Sequence, residues 1–198
     1  YSHRNEDGSV GHVPDSLISE FTTKKGRKVY DGGGVVPDVK IEGDRLSSLS
    51  IELVTRFMIF DFATTYSNEN ESIPEPEEFS ITDDIYKQFA DFVEQSDFNY
   101  ESASQDDLKE LLETAKQEKY YELAKEEFDA LEAKIEPDLD KDLSVFRPEI
   151  SDLLESEIVS RFYYQKGSIR ASINDDKGIT KTIEALHSET AYAAFFKP

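Results

Sequence analysis

Four carboxylates are the first residues whose types and spacing suggest chemistry. In "DLDKDLSVFRPE", Asp138, Asp140, Asp142 and Glu149 fall at positions one, three, five and twelve of an EF-hand calcium loop. Position six of such a loop makes a sharp turn that needs glycine, and here it is Leu143. Pro137 and Pro148 bracket the stretch, and Leu139, Leu143 and Phe146 recur at helical spacing. A short amphipathic helix therefore fits it better than a calcium loop. His3, His12 and His187 are scattered along the chain and do not suggest a metal cluster. Adjacent acids such as Asp83–Asp84 and Asp106–Asp107 read as charges favoured at helix N-termini. The basic "KKGRK" at Lys24–Lys28 reads as a solvated hairpin tip rather than an anion site. On this reading no residue takes a catalytic, cofactor-binding or metal-binding role.

The elements that would position any site follow from composition. The 198 residues are 37% hydrophobic and 12% aromatic, enough large apolar surface for a real core. The formal net charge of −21 repels phosphates and anionic lipid heads, which argues against nucleic acid or an anionic membrane surface as the primary partner. The chain lacks cysteine, which excludes a disulfide framework or a thiolate metal site. No run approaches the roughly 20 apolar residues of a membrane helix. The first residue is Tyr1 rather than methionine, and we expect the chain to be a piece of a longer polypeptide.

Composition changes near Gly43. Residues 1–43 carry six bases against seven acids, whereas Glu69–Glu118 carries sixteen acids against Lys87, Lys109 and Lys116. Glycine is dense in the first segment and reappears afterwards only as Gly167 and Gly178. The expected fold is mainly α: a multi-helix domain over 44–198, preceded over 1–43 by a short strand-and-turn segment. In that segment "NEDGSVGHVPDS" is turn-forming, and "LISEFTT" and "RKVY" predict two short strands around a turn at Gly26. "VVPDVKIE" predicts an edge strand, because Pro37 cannot donate to a ladder.

"GRKVYDGGGVVPDVKIE" resembles the closing part of the protease domain in the carboxy-terminal processing (tail-specific) peptidases, serine peptidase family S41. Gly34, Val35, Val36, Pro37, Asp38 and Val39 match its Gly-(Val/Ile)-x-Pro-Asp-(Val/Ile) signature. The loop "YSHRNEDGSVGHVPDSL" and the segments "RFMIFDFATTY", "FADFVEQSDFNY" and "EISDLLESEIVSRFYYQKG" are similar to the envelope-associated, Bacteroidetes-type branch. The resemblance implies a parent peptidase with a serine nucleophile, a lysine base and a PDZ domain, all upstream of this stretch. None of the serines here stands in the family's nucleophile motif, and Lys24, Lys25 and Lys28 do not match its base. It also implies a periplasmic or envelope location, the rest of the parent protease as partner, and peptide or protein substrates for that parent. On this reading residues 1–43 are the end of the peptidase domain, and the chain alone is inactive. An alternative remains open: an independent acidic helical module that binds a partner protein.

Periodicity places the helices. "GDRLSSLSIELVTRFMIFDFATTY" predicts one helix capped by Asp44, with Leu46, Leu49, Leu53, Phe57 and Phe60 on its apolar face and burial on more than one side. "SNENESIPEPEEFS" predicts a loop. "TDDIYKQFADFVEQS" predicts an amphipathic helix capped by Thr82, with Ile85, Phe89, Phe92 and Val93 inward. The stretch from Ser104 to Ile135 predicts the longest helix, capped by Ser104 with Asp107. Its apolar stripe is irregular around Lys119–Tyr121, and a coiled coil is the other reading of this segment. Pro137 and Pro148 each suit a first helical position. Gly167 predicts a stop or kink, Ile179, Ile183 and Leu186 a last helix, and "AYAAFFKP" an apolar tail that docks.

Overall fold

The computed structural model describes residues 18–24, 26–31, 37–41, 43 and 45–195. Among them the fold is mainly α, with nine helices and one two-stranded sheet. The turn-rich loop before Ile18, the triple glycine with Val35 and Val36, and the expected cap Asp44 lie outside the described residues. The chain divides into two compact units: Asp44–Asn174, and Tyr1–Gly43 together with Asp175–Pro198. The last two helices group with the strand segment in the second of these units.

The helical unit contains seven helices, α1 (Ser48–Thr55), α2 (Met58–Glu69), α3 (Asp83–Gln95), α4 (Ala103–Gln117), α5 (Lys125–Ile135), α6 (Leu139–Val145) and α7 (Arg147–Ser172). Its core joins Leu49 and Leu53 of α1, Ile59 and Phe62 of α2, Phe89 and Val93 of α3, and Ile150, Leu154 and Ile158 of α7. The rings of Phe62 and Phe89 meet edge to face at 5.3 Å, a favoured aromatic geometry. The acidic loop between α2 and α3 enters this core through Ile73 and Phe79, which are buried.

Two helices that the spacing predicts as continuous are each broken, and a third bends three residues before the expected Gly167; each break is a non-glycine residue at positive φ. Phe57 (φ 63°) separates α1 from α2. The single apolar face expected there does not exist: Leu49 and Leu53 point inward, while Phe57 is 63% exposed and Phe60, Val54 and Leu46 are also exposed. A bulky residue in the left-handed region costs about 1–2 kcal/mol. Burying Ile59 and Phe62 at about 1.5–3 kcal/mol each outweighs that cost. The cap of α1 is Ser47, whose hydroxyl accepts from the Ser50 amide at 3.1 Å.

Lys119 (φ 65°) ends α4 and breaks the long helix. The Tyr120 amide donates to the Ala115 carbonyl (2.9 Å) and the Lys119 amide to Lys116 (3.2 Å), the two bonds of a Schellman C-cap with lysine in the glycine position. The chain then passes through a 3-10 turn at Tyr121–Leu123 into α5, so the segment is a helical hairpin and not one coiled-coil strand. Its N-cap is Ser102, forming a full capping box with Gln105, rather than Ser104 with Asp107.

The third break is Tyr164 (φ 60°, ψ −167°), inside α7. Beyond it the helix folds back, so that the Ser168 hydroxyl donates to the Ser156 carbonyl at 3.1 Å. Gly167 is therefore neither a stop nor the kink. A Cβ there would collide with Tyr163 Cβ and stand 3.1 Å from Val159 Cγ1, so glycine permits the close approach of the second leg. Pro148 occupies the first turn of α7 as expected, whereas Pro137 precedes Asp138, the cap of α6. Thr82 caps α3, accepting from Ile85 at 3.3 Å.

The second unit holds β1 (Glu20–Thr22) and β2 (Lys28–Tyr30), antiparallel with Phe21 opposite Val29, and the helices α8 (Lys177–His187) and α9 (Glu189–Ala194). The turn uses Gly26 at φ 87°. The expected edge strand is not one in its described part: 37–41 bends at Asp38 and Val39 and joins no ladder. Proline leaves that stretch one ladder donor short.

Candidate functional site

The four EF-hand positions serve separate partners. Asp138 caps α6, accepting from Lys141 at 3.1 Å. Asp142, on α6, accepts the Tyr100 hydroxyl at 2.6 Å and the Asp138 amide at 3.2 Å. Glu149 accepts from the amide and the hydroxyl of Ser47 at 2.8 and 2.9 Å, which locks the start of α1 against α7. Asp140 hydrogen-bonds Glu94, and that contact raises the Glu94 carboxyl above its usual range. The stretch is a helix with its caps, as the leucine at position six requires, and no group of carboxylates and histidines able to hold a metal occurs among the described residues.

Beside it lies a hollow of about 350 Å³ lined by Ser47, Ser48, Ser102, Ser104, Lys134 and Lys141. Serines beside lysines invite comparison with a nucleophile and its base. Three of these hydroxyls are committed to helix starts instead. Ser47 and Ser102 are N-caps, and Ser48 Oγ accepts the Ala103 amide at 3.2 Å, tying the start of α4 to α1. The arrangement holds four helix ends together, and we assign it no reaction.

Tyrosines and arginines carry further long-range polar links. Tyr86, buried on α3, donates to the Leu143 carbonyl at 2.6 Å. Burial pushes its phenol up to about 12, with the nearby Arg147 acting the other way. Arg147 stacks over that ring at 4.9 Å and pairs with Asp83. The Tyr100 phenol is likewise raised, by burial first and then by its bond to Asp142. Arg170 forks onto Glu77, with Nε and Nη2 each 2.6 Å from a carboxylate oxygen, and Nη2 reaches Glu75 at 3.1 Å. That fork holds the Glu77 carboxyl below its usual range. Tyr163 donates to the Ile73 carbonyl at 3.2 Å and Asn174 to the Glu77 carbonyl at 3.3 Å, so the acidic loop is stapled to both legs of α7 and to Asn174 just beyond it. These partners lie some 90 residues apart in sequence, and no local pattern could have joined them.

The surface with unmet demands is in the strand-bearing unit. Ile179, Ile183 and Leu186 form one stripe of α8, and with Val39, Ile41 and Tyr192 they line an apolar groove of about 530 Å³. Ile183 is 48% and Leu186 60% exposed. The groove is framed by Arg27, which pairs with Asp38 and donates to the Phe195 carbonyl at 2.9 Å. Asp38, Asp176 and Lys181 also line it, among mostly apolar side chains. What the groove offers is apolar area.

Comparison with known proteins gives one result. A family model described as "Probable PDZ-protease, C-terminal helical domain" matches residues 49–186, more than half of the chain. No curated protein and no solved structure matches.

Proposed function

The chain belongs to the family of C-terminal helical domains of probable PDZ-proteases, and on that premise we propose that it is the non-catalytic C-terminal region of a carboxy-terminal processing serine endopeptidase. The observation that carries this is the family match over 49–186, which begins directly after the segment bearing the Gly-Pro-Asp signature. In the parent, a serine activated by a lysine attacks a peptide bond near the substrate's carboxy terminus. On the resemblance, both groups lie upstream of this chain. Its seven-helix body, with end-to-end polar staples and an apolar core, has the attributes of a brace that holds the peptidase part or its assembly in place. The family S41 assignment, the Bacteroidetes-type branch and a periplasmic or envelope setting rest on the resemblance of the signature and the flanking segments. No helix among the described residues is long and apolar enough to cross a membrane.

The test compares the 198-residue chain with the longer polypeptide on an unfolded protein substrate. The longer polypeptide is expected to cleave it, with loss of activity on replacing its nucleophilic serine, and the 198-residue chain to leave it intact. Cleavage by the shorter chain, or an inert longer polypeptide, contradicts the reading.

A further inference from the structure

Every buried hydrophobic side chain among the described residues lies between Leu49 and Ala171, in the helical unit. The described residues of the strand-bearing unit contribute none. It has a two-stranded hairpin of three residue pairs, with both strands exposed throughout. Such a hairpin is marginal in water; a third strand or a packed face is what makes it stable. Phe21, Val29 and Tyr30 of the hairpin are exposed, as is the apolar stripe of α8. This surface is nevertheless shaped: Arg27 ties the hairpin to Asp38 and to the carbonyl of Phe195. Gly178, at the start of α8, sits so that a Cβ would touch Ile41 Cδ1 at 3.7 Å.

We propose that α8 and α9, with the β1–β2 hairpin, form a clasp that docks on the strand-bearing peptidase part of the same polypeptide. The groove lined by Val39, Ile41, Ile179, Ile183, Leu186 and Tyr192 is the apolar seat of that contact. Two observations select this occupant. Beyond their mutual pairs, the outer edges of β1 and β2 join no further strand among the described residues, and only an extended strand offers the main-chain groups that match such an edge. The hairpin precedes the family match, which starts at residue 49, so it lies on the N-terminal side of what is described as the C-terminal helical domain of a probable PDZ-protease, the side on which the peptidase part is read. The helical body, 44–174, is then an excursion between two elements that both return to the peptidase part. This inference rests on the reading given under Proposed function and names the contact by which the brace is held.

Hydrogen exchange read by mass spectrometry tests it, on the longer polypeptide and on the 198-residue chain. Amides of Lys28–Tyr30 and of α8 are expected to exchange on the order of 10-fold more slowly in the longer polypeptide, with the amides of Ile150–Val159 alike in both. Ile183→Asp, at an exposed position, should abolish that added protection and leave Ile150–Val159 unchanged. Equal exchange of α8 in the two polypeptides overturns the clasp. So does protection in the 198-residue chain that grows with concentration together with a dimeric mass in light scattering, because a second copy would then be the occupant. Protection without any peptidase activity in the longer polypeptide upholds the docking and refutes the peptidase reading. Activity without protection refutes the docking alone.

Discussion

Tyr164→Gly is expected to stabilise the helical unit. Tyr164 holds φ 60° and ψ −167°, a region that essentially only glycine occupies, at a cost of about 1–3 kcal/mol. Its side chain is 78% exposed, so truncation removes little buried area, about 0.5 kcal/mol at the usual value for a large side chain. Glycine also loosens the unfolded chain by roughly 0.5–1 kcal/mol. Relief of strain at the middle of its range exceeds those two losses, leaving a net gain of about 1 kcal/mol. For a body of this size that corresponds to a rise in Tm of roughly 3–5 °C. The assay is thermal and urea unfolding followed by circular dichroism at 222 nm, with Tyr164→Ala as the control. Alanine removes the same ring but keeps a Cβ in the forbidden region, so it should be neutral or slightly destabilising. A glycine variant no more stable than the alanine variant would show that the backbone at Tyr164 is unstrained, and the argument from its dihedral angles would fail.

Four more outcomes follow from named contacts. Lys119→Gly places glycine in the left-handed position of the Schellman cap and should raise the urea midpoint by the equivalent of about 1 kcal/mol, with an unchanged m value. Gly167→Ala should cost about 1–3 kcal/mol, because the new Cβ meets Tyr163 and Val159 where the two legs of α7 touch; thermal unfolding measures it. Tyr86→Phe should cost about 1 kcal/mol at neutral pH through the lost bond to the Leu143 carbonyl. Because the folded phenol is raised to about 12, its contribution is complete below the ordinary tyrosine value of about 10 and is lost as pH rises toward 12, so the variant should unfold less steeply with alkali. Glu77 behaves in the opposite sense: its folded carboxyl is depressed by Arg170, so its contribution is present above the unfolded value and disappears as pH falls through the folded one. Glu77→Gln should therefore flatten the acid limb of the stability profile, and added salt should shrink the difference between variant and parent.

The broken helices bear on the brace reading directly. Each reversal lets a long apolar pattern serve two directions at once. α1 and α2 share the core through different faces, and α7 brings both of its legs against the loop that carries Ile73 and Glu77. A continuous helix of the same sequence would present one stripe and expose the other. Among the described residues of the strand-bearing unit no apolar side chain is buried in this way.

The sequence alone determined the mainly α class, the composition change at Gly43, the hairpin around Gly26, and the inward face of α3. Those properties are local: a period of 3.6 residues, a glycine at a turn, a threonine ahead of Asp83–Asp84. The caps of α1 and α4 are Ser47, three residues after the expected Asp44, and Ser102, two residues before the expected Ser104, because several capping side chains stand close together there and only the direction of the incoming chain selects one. The resemblance of the Gly-Pro-Asp stretch and the flanking segments pointed to a protease-associated region, in line with the family that the chain belongs to. The seat on α8 was legible as an apolar stripe, but its exposure was not. The irregular stripe around Lys119–Tyr121 marks the second break, but Phe57 and Tyr164 carry no such mark, since nothing in the identity of a phenylalanine or tyrosine reports positive φ. Tertiary packing decided those three turns: a strained residue costs a kilocalorie or two, and the apolar contacts made by the legs on either side are worth more, but the partners of those contacts lie tens of residues away.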